Sequence, residues 1–215
     1  FARAIAKRPG LLLLDEPLSG LDPPLRWQLQ QQWLSWHAQM PTTTVHVTHD
    51  QQEAMLMGDL VAVMRNGRLE QLGPPQQLYL RPANLFVASF IGSPPMNTIP
   101  GTVSLRAVGA VVSTAVGTVE VADPGTATEG AAVVVGVRPE HLSFGAEAAT
   151  GLRGTTENVE MLGHEHHVVC RVGDSLMTLR ESHGRPVGSV GGVVSLVADP
   201  AGVHLFDAAT AERLN

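Results

Sequence analysis

The run Leu11-Leu12-Leu13-Leu14-Asp15-Glu16-Pro17 constrains this chain more than any other stretch. Four successive apolar residues read as a strand buried on both faces of a parallel sheet. The two acids that follow are then expected at the carboxyl edge of that sheet, where α/β folds place ligand chemistry. Adjacent residues on an extended chain point to opposite sides. Asp15 and Glu16 can therefore hold different jobs, one reaching a metal and the other a water. The plainer alternative is that they cap the next turn.

A second strand-like run, Thr42-Thr43-Thr44-Val45-His46-Val47-Thr48, comes after a helical stretch and leads into His49-Asp50. Between the runs, Pro23-Pro24 predict the opening of a helix over 24–40, because proline suits a first helical turn; Pro41 ends it. Asp50 reads as the N-cap of a helix over 50–57, with Glu53 placed for a capping box. Asn66-Gly67 between 60–64 and 68–72 is a strong hairpin signal, since a tight I′ turn needs positive φ at both central residues. Short helices are expected at 74–79 and 83–91, and the end of another at 2–8.

Helical periodicity stops at Ser93-Pro94-Pro95-Met96-Asn97. Beyond it, Val-rich runs separated by Gly and Pro turns recur: 101–106, 110–114, 118–121, 131–137, 153–162, 165–171, 175–180, 192–198 and 202–206. That spacing predicts a small all-β barrel. The expected domains are residues 1–97 and 98–215.

Charge divides along the same line. Residues 1–97 carry seven basic and seven acidic side chains, and 98–215 carry seven and thirteen. An acidic second half repels a phosphate backbone, so nucleic acid is not an expected partner. The single cysteine, Cys170, excludes an internal disulfide and fits a reducing compartment. Its flanks alternate as a strand does, so packing is favoured over reactivity.

The acids and the histidine resemble a known set. Leu11-Leu12-Leu13-Leu14-Asp15-Glu16-Pro17, Leu18-Ser19-Gly20-Leu21-Asp22 and Thr48-His49-Asp50 are similar, in order and spacing, to the Walker B, D-loop and H-loop of ABC transporter ATPases. Gly73-Pro74-Pro75-Gln76-Gln77-Leu78-Tyr79-Leu80-Arg81-Pro82-Ala83-Asn84-Leu85 and its continuation to Asn97 resemble the joint of carbohydrate importer ATPases of the maltose and glycerol-3-phosphate type. Gly136-Val137-Arg138-Pro139-Glu140-His141-Leu142, Glu160-Met161-Leu162-Gly163 and His204-Leu205-Phe206-Asp207-Ala208-Ala209-Thr210 resemble elements of their OB-like TOBE domain.

The resemblance implies an α/β P-loop NTPase remnant followed by an all-β TOBE domain. It implies that Asp15 holds Mg²⁺, that Glu16 acts on the attacking water, that His49 contacts the γ-phosphate of ATP, and that Asp22 reaches across a homodimer. Membrane-spanning permease subunits are implied partners, with a cytoplasmic, peripheral location on the inner face of the membrane and a regulatory protein or small effector at the TOBE domain. Departures from the relatives' common pattern are Gly20, Pro23-Pro24 and Ala211. The phosphate cradle G-x-x-x-x-G-K-[ST] is missing, and so is the LSGGQ signature; Lys7 is the only lysine. The chain is therefore expected to be the C-terminal portion of a longer ATPase and inactive alone. The alternative is a regulatory or dimerisation module without ATPase activity.

Three further features are weighed against simpler roles. Trp33 and Trp36 share one helix side and, with Trp27, favour packing over nucleotide contact. His164 and His166 share a strand parity, but a solvated strand is favoured over a metal site. Arg138 and Glu140 could bind an effector, but a structural corner is favoured.

Overall fold

The computed structural model describes residues 9–40, 42–145, 151–184 and 188–215. The helix end expected at 2–8 lies outside them. The chain divides into two compact units, residues 1–81 and 82–215.

In the first unit, strand β1 (Leu11–Asp15) pairs in parallel with β2 (Thr43–Val47), from Leu11 opposite Thr43 to Asp15 opposite Val47. Parallel neighbours need a long crossover. Helix α1 (Pro23–His37) lies in that crossover, opened by two prolines and capped by Asp22. Leu12 and Leu14 are buried against Trp33, with Met40 and Met57 at the margin.

Burial on both faces of β1, expected from the four leucines, is not what the unit shows. Leu11 and Leu13 are exposed and burial alternates along the strand. Trp33 and the two methionines cover one face only. Of the three tryptophans, Trp33 alone is core, while Trp27 and Trp36 are exposed.

Helix α2 (Gln51–Met57) is capped by Asp50, whose carboxylate accepts from the Gln52 and Glu53 amides. The capping box does not close as anticipated. The Glu53 side chain turns inward, to His46 and Thr48. The hairpin forms from β3 (Val61–Arg65) and β4 (Arg68–Gly73), with Asn66 at φ 50° and Gly67 at φ 76°. Helix α3 (Pro75–Leu80) follows.

The second unit begins at Pro82 and includes helix α4 (Leu85–Phe90). The composition shift lies later, near residue 97. The compact unit starts earlier because the chain's tail holds the joint: Leu85 N–H donates to the Ala211 carbonyl at 2.9 Å and Arg213 N–H to the Ala83 carbonyl at 3.0 Å. Ala88 also packs with Met96 and Phe206.

The rest of the unit is β-sheet. Strands β5 (Asn97–Leu105), β6 (Ala110–Thr114), β7 (Gly117–Val121) and β8 (Ala132–Val137) are followed by a short β9 (Leu142–Phe144), which the Val-rich pattern does not reveal. Then come β10 (Leu152–Met161), β11 (Glu165–Val172), β12 (Ser175–Ser182), β13 (Val193–Ala198) and β14 (Val203–Asp207). The sheet runs β12-β11-β10-β7-β6-β5-β8-β14, with β13 joining β10 to β9. It curls on itself. The Asn97 amide donates to the Thr178 carbonyl at 2.8 Å and accepts from the Thr178 N–H at 2.7 Å, so a side chain joins β5 to β12 where no ladder runs. Val103, Val112, Val135, Leu152, Val168, Cys170, Leu179 and Leu205 fill the interior. Burial pushes the Cys170 thiol pKa up, as its packing role predicts.

Candidate functional site

The parallel pair β1–β2 places two chain segments side by side at its carboxyl end. After Asp15 the backbone leaves the sheet in one residue. Glu16 takes φ 43°, a left-handed conformation that an L-residue adopts at a cost. Three contacts hold it there. Its N–H donates to the Val47 carbonyl at 2.8 Å, and its own carbonyl accepts from the Ser19 N–H at 3.2 Å and the Ser19 hydroxyl at 2.8 Å. The sharp turn sends the Glu16 side chain toward the segment that follows β2. There Glu16 Oε1 lies 3.0 Å from His49 Nδ1. The two residues, thirty-three positions apart in the sequence, meet directly.

His49 stands in a braced turn. The Asp50 N–H donates to Thr48 Oγ1 at 3.0 Å, and the Thr48 hydroxyl donates to Glu53 Oε2 at 2.8 Å. Glu53 is buried at 3% exposure, and its Oε1 lies 2.5 Å from His46 Nε2. A buried carboxylate is stable only when its lone pairs are met, and here each oxygen has a partner. Glu53 and Thr48 thus fix the turn without touching the exposed Glu16–His49 pair.

Asp15 ends β1 and is exposed. With Leu13, Leu14, Val45 and Val47 it lines a shallow hollow of about 350 Å³ on the open face of the sheet. Asp22 is elsewhere. Its carboxylate accepts from the Leu25 N–H over a long 3.4 Å as the cap of α1. The structure therefore brings Glu16 and His49 into contact and sets Asp15 beside Glu16 in the chain, while Asp22 serves a helix end. Glu16 and His49 side chains are 46% and 74% exposed, so in this chain the pair faces water.

Among the described residues no group of three or more His, Cys, Asp or Glu side chains is placed to hold a metal by itself. One exposed carboxylate at a strand end still suits Mg²⁺, which takes one or two protein carboxylates and completes its shell with phosphates and water.

Sequence reasoning did not find Ser19, Arg26, Thr48 or Glu53 as parts of this site. Thr48 and Ser19 lie inside the quoted motifs, so the signal was present. Arg26 stands four residues after Asp22, and only the fold shows that it reaches Asp50 at 3.0 Å.

The other candidates resolve as architecture. Arg138 is 2% exposed, and its Nη1 donates to the Ile91 carbonyl. His166 is buried rather than solvated, with its ring 5.5 Å from that of His183. His164 precedes β11 in a turn, so the two histidines do not share a strand face. His167 lies 2.9 Å from Glu165, whose carboxyl pKa is lowered chiefly by the Arg180 hydrogen bond.

Two family models match the second unit: the MalK OB fold domain over residues 92–142 and the TOBE domain over 135–206. Curated relatives match nearly the whole chain. The ABC transporter ATP-binding protein y4oS of Sinorhizobium fredii is 42% identical over 99% of this chain and 56% of its own length. The sn-glycerol-3-phosphate import ATP-binding protein UgpC of Paraburkholderia xenovorans is 40% identical over 99% of the chain and 60% of its own length. UgpC of Yersinia enterocolitica is 38% identical over 99% and 59%. The chain thus spans less than two thirds of the length of these relatives.

Proposed function

Because this chain carries MalK-type OB fold and TOBE domains and matches the C-terminal portion of ABC-importer ATP-binding proteins, we propose that the whole protein is the ATP-hydrolysing subunit of a bacterial importer for a carbohydrate-type solute. The observation that carries the reading is the 3.0 Å contact between Glu16 and His49 at the carboxyl end of a parallel strand pair.

In this reading residues 1–81 are part of an α/β P-loop NTPase domain. Glu16 orients the attacking water and accepts its proton; a base so placed contributes about 10²–10⁴ in rate. His49 would lie beside the terminal phosphate; a ring with protons on both nitrogens can donate from Nδ1 to Glu16, 3.0 Å away, and from Nε2 to the phosphate. Asp15 would hold the Mg²⁺ that accompanies ATP and neutralises phosphate charge. Asp22, exposed at a helix start, would meet the second copy of the subunit in a homodimer. Two such subunits would drive paired permease subunits from the cytoplasmic face of the membrane. No helix among the described residues is long and apolar enough to cross a membrane, which suits a peripheral position. A regulatory protein or small effector would act on the TOBE domain.

These 215 residues contain no Gly-Lys pair. Tight ATP binding in P-loop proteins draws on backbone amides and a lysine of that kind, so this chain alone should neither bind ATP tightly nor turn it over. A second reading, a regulatory or dimerisation module without ATPase activity, rests on the OB fold and TOBE matches over residues 92–142 and 135–206.

Mg-ATP hydrolysis by the full-length polypeptide, with and without its permease subunits, separates the two. Turnover that rises with the permease supports the first. A full-length polypeptide that neither binds nor hydrolyses ATP supports the second.

A further inference from the structure

Helix α1 does more than carry Trp33 into the core. Its first turn bears Arg26, whose Nη1 donates to Asp50 Oδ2 at 3.0 Å and whose Nη2 donates to the Leu21 carbonyl at 3.3 Å. The Arg26 backbone N–H donates to the Asp22 carbonyl at 3.0 Å. One residue therefore holds both members of the Leu21-Asp22 turn and reaches across to the segment after β2.

Asp50 accepts one arm of this fork, from Arg26 Nη1, while doing two other things. Its Oδ1 accepts the Gln52 and Glu53 amides, at 2.9 and 3.2 Å, and its N–H donates to Thr48 Oγ1 at 3.0 Å. His49 lies between Thr48 and Asp50, and its ring meets Glu16 at 3.0 Å. On the other side, Glu16 begins the loop that ends at Asp22, tied inside by the Ser19 hydroxyl at 2.8 Å from the Glu16 carbonyl. The bonds close a loop through space: Glu16, Ser19, Leu21, Arg26, Asp50, His49 and back to Glu16.

We propose that Arg26 is a positioning residue that locks the Leu18–Asp22 loop to the His49 turn, so that Glu16 and His49 keep their mutual placement. The inference rests on the ATPase reading above. A stabilising role explains the contact poorly. The Arg26 and Asp50 side chains are 34% and 26% exposed, and partly exposed ion pairs add little to stability. Geometry explains it better. A planar guanidinium can serve two acceptors on two segments in fixed directions, which a lysine ammonium cannot reproduce. Displacing a catalytic group by about 1 Å costs on the order of 10² in rate, so a strut of this kind acts on turnover before it acts on folding.

The test uses the full-length polypeptide with Arg26→Gln, Asp50→Asn, the double variant and, as a reference, Glu16→Gln. Asparagine still caps a helix, so Asp50→Asn removes the charged acceptor and leaves α2 in place. Arg26→Gln is expected to lower kcat about tenfold with KM for ATP within about twofold. Asp50→Asn should do the same, and the double variant should be no slower than either single, because both remove one contact. In the 215-residue chain without nucleotide, Arg26→Gln should move the NMR signals of the His49 ring while leaving those of His141 in place. Unchanged kcat, additive losses, or an unmoved His49 signal would each overturn the proposal. If Glu16→Gln abolishes turnover while Arg26→Gln leaves it intact, the positioning role alone fails. A wild-type polypeptide without turnover, or a fully active Glu16→Gln variant, removes the ATPase reading and this inference together.

Discussion

His49 Nδ1 lies 3.0 Å from Glu16 Oε1, a contact made by two side chains that the sequence separates but the parallel pairing of β1 and β2 aligns. The register sets Asp15 opposite Val47. Each strand needs only one or two further residues to present its side chain of the pair at the same edge. The contact is exposed. A surface pair of this kind contributes little to folding, so its geometry is better explained by what it would hold than by what it would stabilise.

The second unit should fold alone only with its joint. Residues Ala83 and Leu85 bond to Arg213 and Ala211, and Ala88 packs with Met96 and Phe206. Polypeptide 82–215 is expected to melt cooperatively. Polypeptide 98–215 loses those bonds and should melt at lower temperature or over a broader range. Equal melts by calorimetry would place the domain boundary near residue 97 instead.

His204 should make that unit sensitive to acid. Burial, with Arg213, Arg138 and His141 nearby, lowers its pKa to about 4, and its Nδ1 is buried without a hydrogen-bond partner. The unfolded chain takes up this proton near the ordinary histidine value of about 6.5, before the folded protein does. The stabilising contribution is therefore fully present above about pH 6.5 and is lost as pH falls toward 4. Melting temperatures measured across this window should fall for the wild type and fall less for His204→Leu. Parallel slopes would rule out His204 as the cause.

Ala211 occupies φ 62°, where a Cβ costs about 1–2 kcal/mol. Replacing it with glycine relieves that strain and adds about 0.5–1 kcal/mol of chain entropy to the cost of folding. Ala211→Gly should therefore raise stability by roughly 0.5–1 kcal/mol in urea unfolding. A lower midpoint would mean that the methyl group packs favourably.

Much of this was legible in the residues. Asn66-Gly67 specified its turn, Asp50 caps the helix that follows it, and the Val-rich runs became strands. Other parts could not be read. An apolar run does not say whether both faces of its strand are covered, and Leu11 and Leu13 turned out exposed. Parity suggested a solvated face for His166, but pairing with β12 buries it beside His183. The boundary near 97 followed composition, whereas the compact unit follows the tail's hydrogen bonds to Ala83 and Leu85, contacts more than a hundred residues apart. Glu16 and His49 were singled out through the resemblance, and the fold brings them into contact. Arg26 was not, because an arginine on an exposed helix looks the same whether or not it reaches another segment.

The account turns on Glu16 as the group that takes the proton from water. In the full-length polypeptide with its permease subunits, Glu16→Gln keeps the side chain's shape and cannot accept that proton. Single-turnover hydrolysis of Mg-ATP should slow by about 10²–10⁴, while ATP affinity measured by calorimetry stays within a few-fold of wild type. Hydrolysis at half the wild-type rate or faster, with ATP bound, would contradict the assignment.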